Sequence, residues 1–336
     1  MSIREAIGKV VEQKDLSQEE AFEVAIEIMS GGATDAQIAA LLIGLRMKDE
    51  TIDEITGFVK AMREKVTPVP CRSKDLVDTC GTGGDRSGTF NISTLSAFVA
   101  AGAGCRVAKH GNRSVSSRCG SADLLKALGV NIEITPKRMA DCIDEAGIGF
   151  LFAPILHRAM KYAIGPRREV GVRTIFNILG PLTNPAGAKR QVLGVFDKEL
   201  THPIANVLKN LGSEHCMVVH GEDGLDEITI TGKTTVDELH NGEMKSYSIE
   251  PEEVGIRRGT MDDIRGGDVD DNVRIALDVL NGGKGPKRDT VVFNAGAAIY
   301  AGGKAGSLRE GIERANESID SGKAMEKLQM LRKMTQ

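Results

Sequence analysis

The sequence predicts an α/β protein: a small N-terminal helical domain, then a large α/β domain on a mostly parallel central sheet. Three observations predict it. Residues 1 to about 65 carry helix signals almost without a break. Thr67-Pro-Val-Pro then interrupts the helical pattern as a linker does. Beyond it, short apolar runs alternate with helix-like segments, the mark of a sheet whose strands run parallel. The expected division is 1–69 for the helical domain and 70–336 for the α/β domain.

In order, Ser17 with Glu20, Thr34 with Gln37 and Thr51 with Glu54 each fit a capping box, and Gly31-Gly32 ends the helix begun at Ser17. Ile38, Leu41, Leu42 and Leu45 recur at helical spacing and give one apolar face. Helices this short need a partner surface, either the rest of the chain or a second subunit. Strands are expected at 75–79, 105–108, 130–134, 149–152, 192–196, 215–220 and 290–294. Helices are expected between them, at 121–128, 136–146, 201–211, 270–281 and 307–321. The Thr-rich stretch 226–250, with turns at Gly232 and Asn241-Gly242, reads as an antiparallel excursion.

One stretch organises the candidate chemistry. A short strand ends near Val77, and Gly81, Gly83 and Gly84 then let the backbone turn tightly and expose its N–H groups. Asn91, Ser93 or Thr94 can cap a following helix, whose free N–H groups and positive dipole end suit a phosphate. No Lys-Ser or Lys-Thr follows Gly88, so this is not a P-loop, and Arg86 stands where a dinucleotide fingerprint needs its third glycine. Alone, such a turn reads equally well as a plain loop. A second polar, basic stretch, Lys109 to Ser117, also follows a small-residue run, so the two loops can face one another across a cleft. That predicts a ligand with two separated phosphate groups.

Asp226-Glu227 follows the apolar strand Cys216–Val219, where open α/β sheets bind ligands. Paired carboxylates beside a diphosphate suit Mg²⁺; alone they would read as an acidic surface turn. Lys109, Arg113 and Arg118 can neutralise phosphate, and His110 can serve as a base or a structural loop histidine. Arg167-Arg168 offers a guanidinium for a carboxylate, or for a salt bridge. The acidic run 262–271 lacks the glycine of an EF-hand loop and reads as a solvated face or helix start.

Composition narrows the classes. A chain of 336 residues with formal charge −4, and aromatics at 4% without tryptophan, argues against a nucleic-acid binder. Six cysteines without a Cys-x-x-Cys pair predict reduced, buried thiols. The first residues lack the apolar core of a signal peptide, and no apolar run is long enough to span a membrane. A cytoplasmic protein is expected.

Taken together, Gly81-Thr-Gly-Gly-Asp85, Asn91-Ile-Ser-Thr94, Lys109-His-Gly-Asn-Arg113 and His220-Gly-Glu-Asp-Gly-Leu-Asp-Glu227 resemble the signature segments of the anthranilate phosphoribosyltransferases. So do Arg173 to Pro185, Gly266-Gly-Asp and Asn294-Ala-Gly-Ala, and the order matches over essentially the whole chain. The resemblance implies the nucleoside phosphorylase type of fold. It also implies that a segment near 165–185 returns to the helical domain and that this domain forms the homodimer interface. It implies transfer of the phosphoribosyl group from 5-phosphoribosyl 1-diphosphate to the amine of anthranilate, with release of diphosphate, in tryptophan biosynthesis.

By the same resemblance, Gly81, Gly84, Asp85 and Thr89 hold the diphosphate–ribose portion, and Asn91, Ile92, Ser93 and Thr94 bind a phosphate. Lys109, His110, Gly111, Asn112, Arg113, Ser114, Val115, Ser116 and Ser117 close over the donor, and Ser121 adds a contact. Gly81, Asn112 and Arg167 bind anthranilate, with the arginine on its carboxylate. Ser93, Asp226 and Glu227 carry Mg²⁺, two ions per subunit. Arg158 and Gly165-Pro166 depart from the family's usual residues near the acceptor side. A nucleoside phosphorylase of the same fold, or a non-catalytic relative that binds nucleic acid, are the competing readings. Lys109-His-Gly-Asn and the intact Asp226-Glu227 count against them.

Overall fold

The computed structural model describes every residue except Arg86 and 114–117. The chain opens with α1 (Ile3–Val11), α2 (Gln18–Met29), α3 (Asp35–Lys48) and α4 (Ile52–Lys65). All three anticipated capping boxes form, and Ser2 with Glu5 makes a fourth at the start of α1. Each satisfies two N–H groups that a helix start leaves open.

The α/β part then runs β1 (Leu76–Gly81), α5 (Ile92–Gly102), β2 (Arg106–Gly111), α6 (Ser121–Ala127), α7 (Pro136–Asp141), β3 (Ile148–Phe152), α8 (Ala153–Leu156) and α9 (Lys161–Val170). It continues through α10 (Phe176–Leu179), β4 (Arg190–Gly194), α11 (Thr201–Asn210), β5 (His215–Gly221), β6 (Thr234–His240) and β7 (Glu243–Ile249). It closes with α12 (Val269–Leu280), α13 (Pro286–Ala301), α14 (Leu308–Asp320) and α15 (Lys323–Thr335). The sheet order is β3-β2-β1-β4-β5-β6-β7. Its first five strands are parallel, and β6 and β7 add the antiparallel excursion, turning at Asn241-Gly242 with both φ positive. That is the backbone a two-residue hairpin needs.

Two expected strands are helix or coil. Residues 290–294 lie inside α13, whose residues are buried nearly all round. A helix without a polar face shows no period, so a short apolar run from it mimics a strand. Residues 130–134 form no strand and lie outside the sheet. Val130 and Ile132 sink into the core between α6 and α7, and the Asn131 N–H goes to the Thr335 hydroxyl at 3.1 Å.

One apolar core lies between the sheet and α5, α12, α13, α14 and α15. A second joins α1–α4 to Ala163, the 175–182 stretch and the opposite sheet face through Leu193, Val195, Cys216 and Val218, and a smaller third gathers Leu76, Ala108, Met139, Ile143 and Leu151. Beside the second, α9 packs against α2 and α3, with the Tyr162 ring over Gly31, where a Cβ would meet it at 2.8 Å.

Candidate active site

The order 3-2-1-4-5 reverses between β1 and β4, and ligands bind beyond the strand ends at such a switch point. There Gly81 and Gly194 are register partners, and the Thr82 N–H donates to the Gly194 carbonyl at 2.9 Å. Their missing side chains let the 226 backbone descend onto the sheet. A Cβ on Gly194 would overlap the Asp226 carbonyl group, and one on Gly81 would overlap its carboxylate.

The acidic pair closes on both halves of the glycine-rich stretch. Gly83, at φ 69°, donates its N–H to Asp226 Oδ2 at 2.6 Å. Ser93, in the first turn of α5, donates its N–H to Glu227 Oε1 at 3.1 Å. Asp85 accepts the Ser87 hydroxyl at 2.5 Å, and Ser87 reaches Thr89 at 3.3 Å. Gly266 braces this loop through its N–H on the Gly88 carbonyl, 2.9 Å. Burial first, then the neighbouring Asp85, pushes the Asp226 carboxyl up to about 7; burial, then Asp226, pushes Glu227 up to about 8. Two adjacent carboxylates, Asp226 buried and Glu227 half-buried, the first raising the second, suit a divalent cation, whose charge would release their protons.

Asn91 precedes α5 but does not cap it with its side chain, contrary to expectation. Its amide donates to the Cys119 carbonyl at 3.1 Å, across to the second loop. The buried Thr94 hydroxyl has no hydrogen-bond partner among the described residues. Ile92 is a core residue that offers the site only its backbone.

From β2, Lys109 reaches under the glycine loop. Its buried ammonium donates to the Thr79 carbonyl at 2.6 Å and to Ser93 Oγ at 3.3 Å. Burial lowers its proton affinity, opposed first by Asp78. Asp78 is itself buried; it accepts the His110 N–H at 3.1 Å and the Asn184 amide at 2.8 Å, and burial pushes it up to about 6. His110 meets His157 with the two Nε2 atoms 3.1 Å apart. Burial, then His157, lowers His110 to about 3; burial lowers His157 to about 4.

The Asn112 carbonyl accepts the Ser121 hydroxyl at 3.1 Å and the Ala122 N–H at 3.2 Å, so these two expected contacts stand together after Gly111. Arg113 turns toward Glu133, 3.6 Å, and the Phe152 ring, 5.8 Å, rather than to the glycine loop. Ser114, Val115, Ser116 and Ser117 lie outside the described residues. Arg167 stacks over the Phe176 ring at 5.3 Å; burial lowers its proton affinity, and it has no acidic partner among the described residues. Arg173 was not assigned a role from the sequence, yet it donates to the Gly84 carbonyl and lies 4.0 Å from the Phe196 ring centre. Asp78, Thr79, Asn184 and Gly194 were also missed. The one available signal was Asp78, a carboxylate midway along an otherwise apolar strand.

The family model described as "Glycosyl transferase family, a/b domain" matches residues 73–325, and "Glycosyl transferase family, helical bundle domain" matches residues 4–66. The anthranilate phosphoribosyltransferase of Persephonella marina is 56% identical over 332 residues, 98% of each chain. The chain belongs to this family. The enzyme of that name from Alkaliphilus metalliredigens is 55% identical over 99% of this chain and 98% of its own. Among solved structures, the anthranilate phosphoribosyltransferase of Thermus thermophilus superposes with a TM-score of 0.94 at 45% identity, covering 98% of this chain and 99% of that one. The Saccharomyces cerevisiae enzyme in complex with PRPP and Mg gives 0.90 at 27% identity, covering 99% and 97%. As in those anthranilate phosphoribosyltransferases, a helical domain precedes a mostly parallel sheet.

Proposed function

We propose that this protein transfers the 5-phosphoribosyl group of 5-phosphoribosyl 1-diphosphate to the amine of anthranilate, the step its family name describes, in tryptophan biosynthesis. The observation that carries the reading is the closure of Asp226 on Gly83 and of Glu227 on Ser93, which gathers two carboxylates, a glycine loop and a helix start at one switch point. Gly81, Gly84, Asp85 and Thr89 take the diphosphate–ribose portion, and Asn91 to Thr94 take a phosphate at the start of α5. Lys109 sets positive charge beneath both, and Gly111 to Ser121 form the facing wall. The carboxylates of Asp226 and Glu227, with the Ser93 hydroxyl, are the Mg²⁺ ligands. They face different partners, which supports two ions. When bound, Mg²⁺ neutralises charge on the departing diphosphate.

The aromatic amine is uncharged at neutral pH, so its lone pair attacks the anomeric carbon as the bond to diphosphate breaks. Positioning then supplies much of the rate. Arg167, half-buried and without an acidic partner among the described residues, takes the anthranilate carboxylate in this reading, with Asn112 and Gly81 as further contacts. His110 is too weakly basic to be given the proton. Val11, Met47, Ile164 and Val172, on or beside α1, α3 and α9, are exposed, which supports a homodimer through the helical domain. Purified protein with anthranilate, 5-phosphoribosyl 1-diphosphate and Mg²⁺ should lose anthranilate fluorescence only when all three are present. Persistence of the fluorescence with folded protein would overturn the reading.

A further inference from the structure

We propose that His215, Glu238 and His240 form a binding site for one divalent transition ion of the zinc type, at the end of the sheet away from the substrate cleft. His215 opens β5 and His240 closes β6, directly opposite it in the antiparallel register. Glu238 lies two residues back along β6, so all three side chains share one face of the pleat. Their donor atoms lie within 4.8 Å of one another. A tetrahedral ion with bonds of 2.0–2.1 Å holds its ligand atoms about 3.4 Å apart, so the three donors must draw closer together to share one.

The set is two imidazoles and a carboxylate, one that zinc accepts with water in a fourth position and that Mg²⁺, a hard ion, does not select. Its outer partners are in place. The Tyr247 hydroxyl donates to one Glu238 oxygen at 2.9 Å; the other oxygen accepts His215 Nε2–H at 2.8 Å, a bond between two of the ligands that an ion would replace. The Tyr300 ring stands edge-on to both imidazoles, 4.6 Å from His215 and 6.1 Å from His240. Such partners hold a ligand set in orientation.

A plain structural hydrogen bond explains His215 and Glu238 but leaves His240 unexplained. Its ring lies flat on His215, centroids 4.0 Å apart and 10° between planes, and makes no hydrogen bond among the described residues. An ion cannot lie in the planes of two stacked rings. His240, which is exposed, must therefore turn about its side-chain torsions to bind, while the buried His215 and Glu238 stay fixed. The exposed histidine also gives the ion its path in.

The test is a ZnCl₂ titration of the full chain, stripped with chelator and then held in Mg²⁺, followed by calorimetry and by the visible spectrum of the Co²⁺ form. One tight equivalent is expected. Tyr247→Phe should weaken it by roughly 10–100-fold as an outer partner, and His240→Ala by more than that. Asp226→Asn should leave it unchanged. Because His240 is exposed, its replacement keeps the fold, which thermal melting checks. Absence of a tight equivalent, an unchanged affinity in His240→Ala, or its loss in Asp226→Asn would each overturn the site.

Discussion

Glu227 Oε1 accepts the N–H of Ser93 at 3.1 Å, a contact between residues 134 positions apart. The carboxylate thus sits on the first turn of α5, where the helix dipole and free N–H groups favour negative charge. A phosphate needs those same groups. The two anions can share the turn only if positive charge comes between them, which gives the acidic pair and the phosphate loop a common requirement for a cation.

That requirement has a pH signature. Asp226 and Glu227 are raised in the folded protein above their ordinary carboxylate values. Their contribution to stability is therefore present below about pH 4 and is lost as pH rises through the folded values, with a slope of at most about 1.4 kcal/mol per pH unit per proton. Mg²⁺ should restore it. The Tm increase produced by saturating Mg²⁺ should be larger at about pH 8.5 than at about pH 6. Differential scanning fluorimetry of wild type and of the Asp226→Asn, Glu227→Gln double variant measures it. An equal Tm increase at both values, or one surviving in the variant, removes these carboxylates as the ligands.

How much of this was readable from residues depends on where each signal lives. Capping boxes are local, three to four residues long, and all that were read are formed. The glycine loop and the acidic pair were readable as loops after strands, since backbone that must approach a ligand needs glycine and a metal needs carboxylates. What sequence could not show is contact across the switch point. Gly194 looks like an ordinary strand end until the 226 carbonyl is found against it. Asn91 has the chemistry of a cap, but a tertiary partner, Cys119, claims its amide. Residues 290–294 failed as a strand because α13 is buried on every side, and burial without a polar face erases the helical period.

Lys109 is a buried cation whose partners are a carbonyl and a hydroxyl, with Asp78 close enough to oppose its loss of charge. Lys109→Met keeps the volume and removes the charge. It leaves the Thr79 carbonyl and the Ser93 hydroxyl without this donor, and a buried polar group left unsatisfied costs about 1–3 kcal/mol. Urea unfolding should show that loss, and any folded variant should bind the phosphorylated donor more weakly. Wild-type stability together with wild-type KM would refute the role.

His110 and His157 predict acid sensitivity. Both are lowered in the folded protein, to about 3 and about 4, from an ordinary value near 6.5. Here the unfolded chain binds more protons, so stability is full above about pH 6.5 and falls as pH drops toward the folded values. Chemical denaturation between about pH 7 and 4.5 should show a decline that is shallower in His157→Gln, which leaves one histidine fewer to charge on unfolding. Identical slopes would show that the pair does not carry the effect.

Gly194 separates backbone geometry from chemistry. Its Cβ would overlap the Asp226 carbonyl group, a backbone atom that no rotamer change can move away. Gly194→Ala must push the 226–227 segment off the sheet, and overpacking of this kind costs about 1–3 kcal/mol. Because Asp226 bonds Gly83 and Glu227 bonds Ser93, the same shift should loosen both carboxylates from the phosphate loops. Turnover should fall and the Mg²⁺ concentration for half-maximal rate should rise. Gly8→Ala is the control: it lies in α1, where an added Cβ meets nothing within 4 Å, and it should gain roughly 0.5–1 kcal/mol. A Gly194→Ala enzyme that kept wild-type Mg²⁺ dependence would mean that Asp226 holds its position without the close approach to β4.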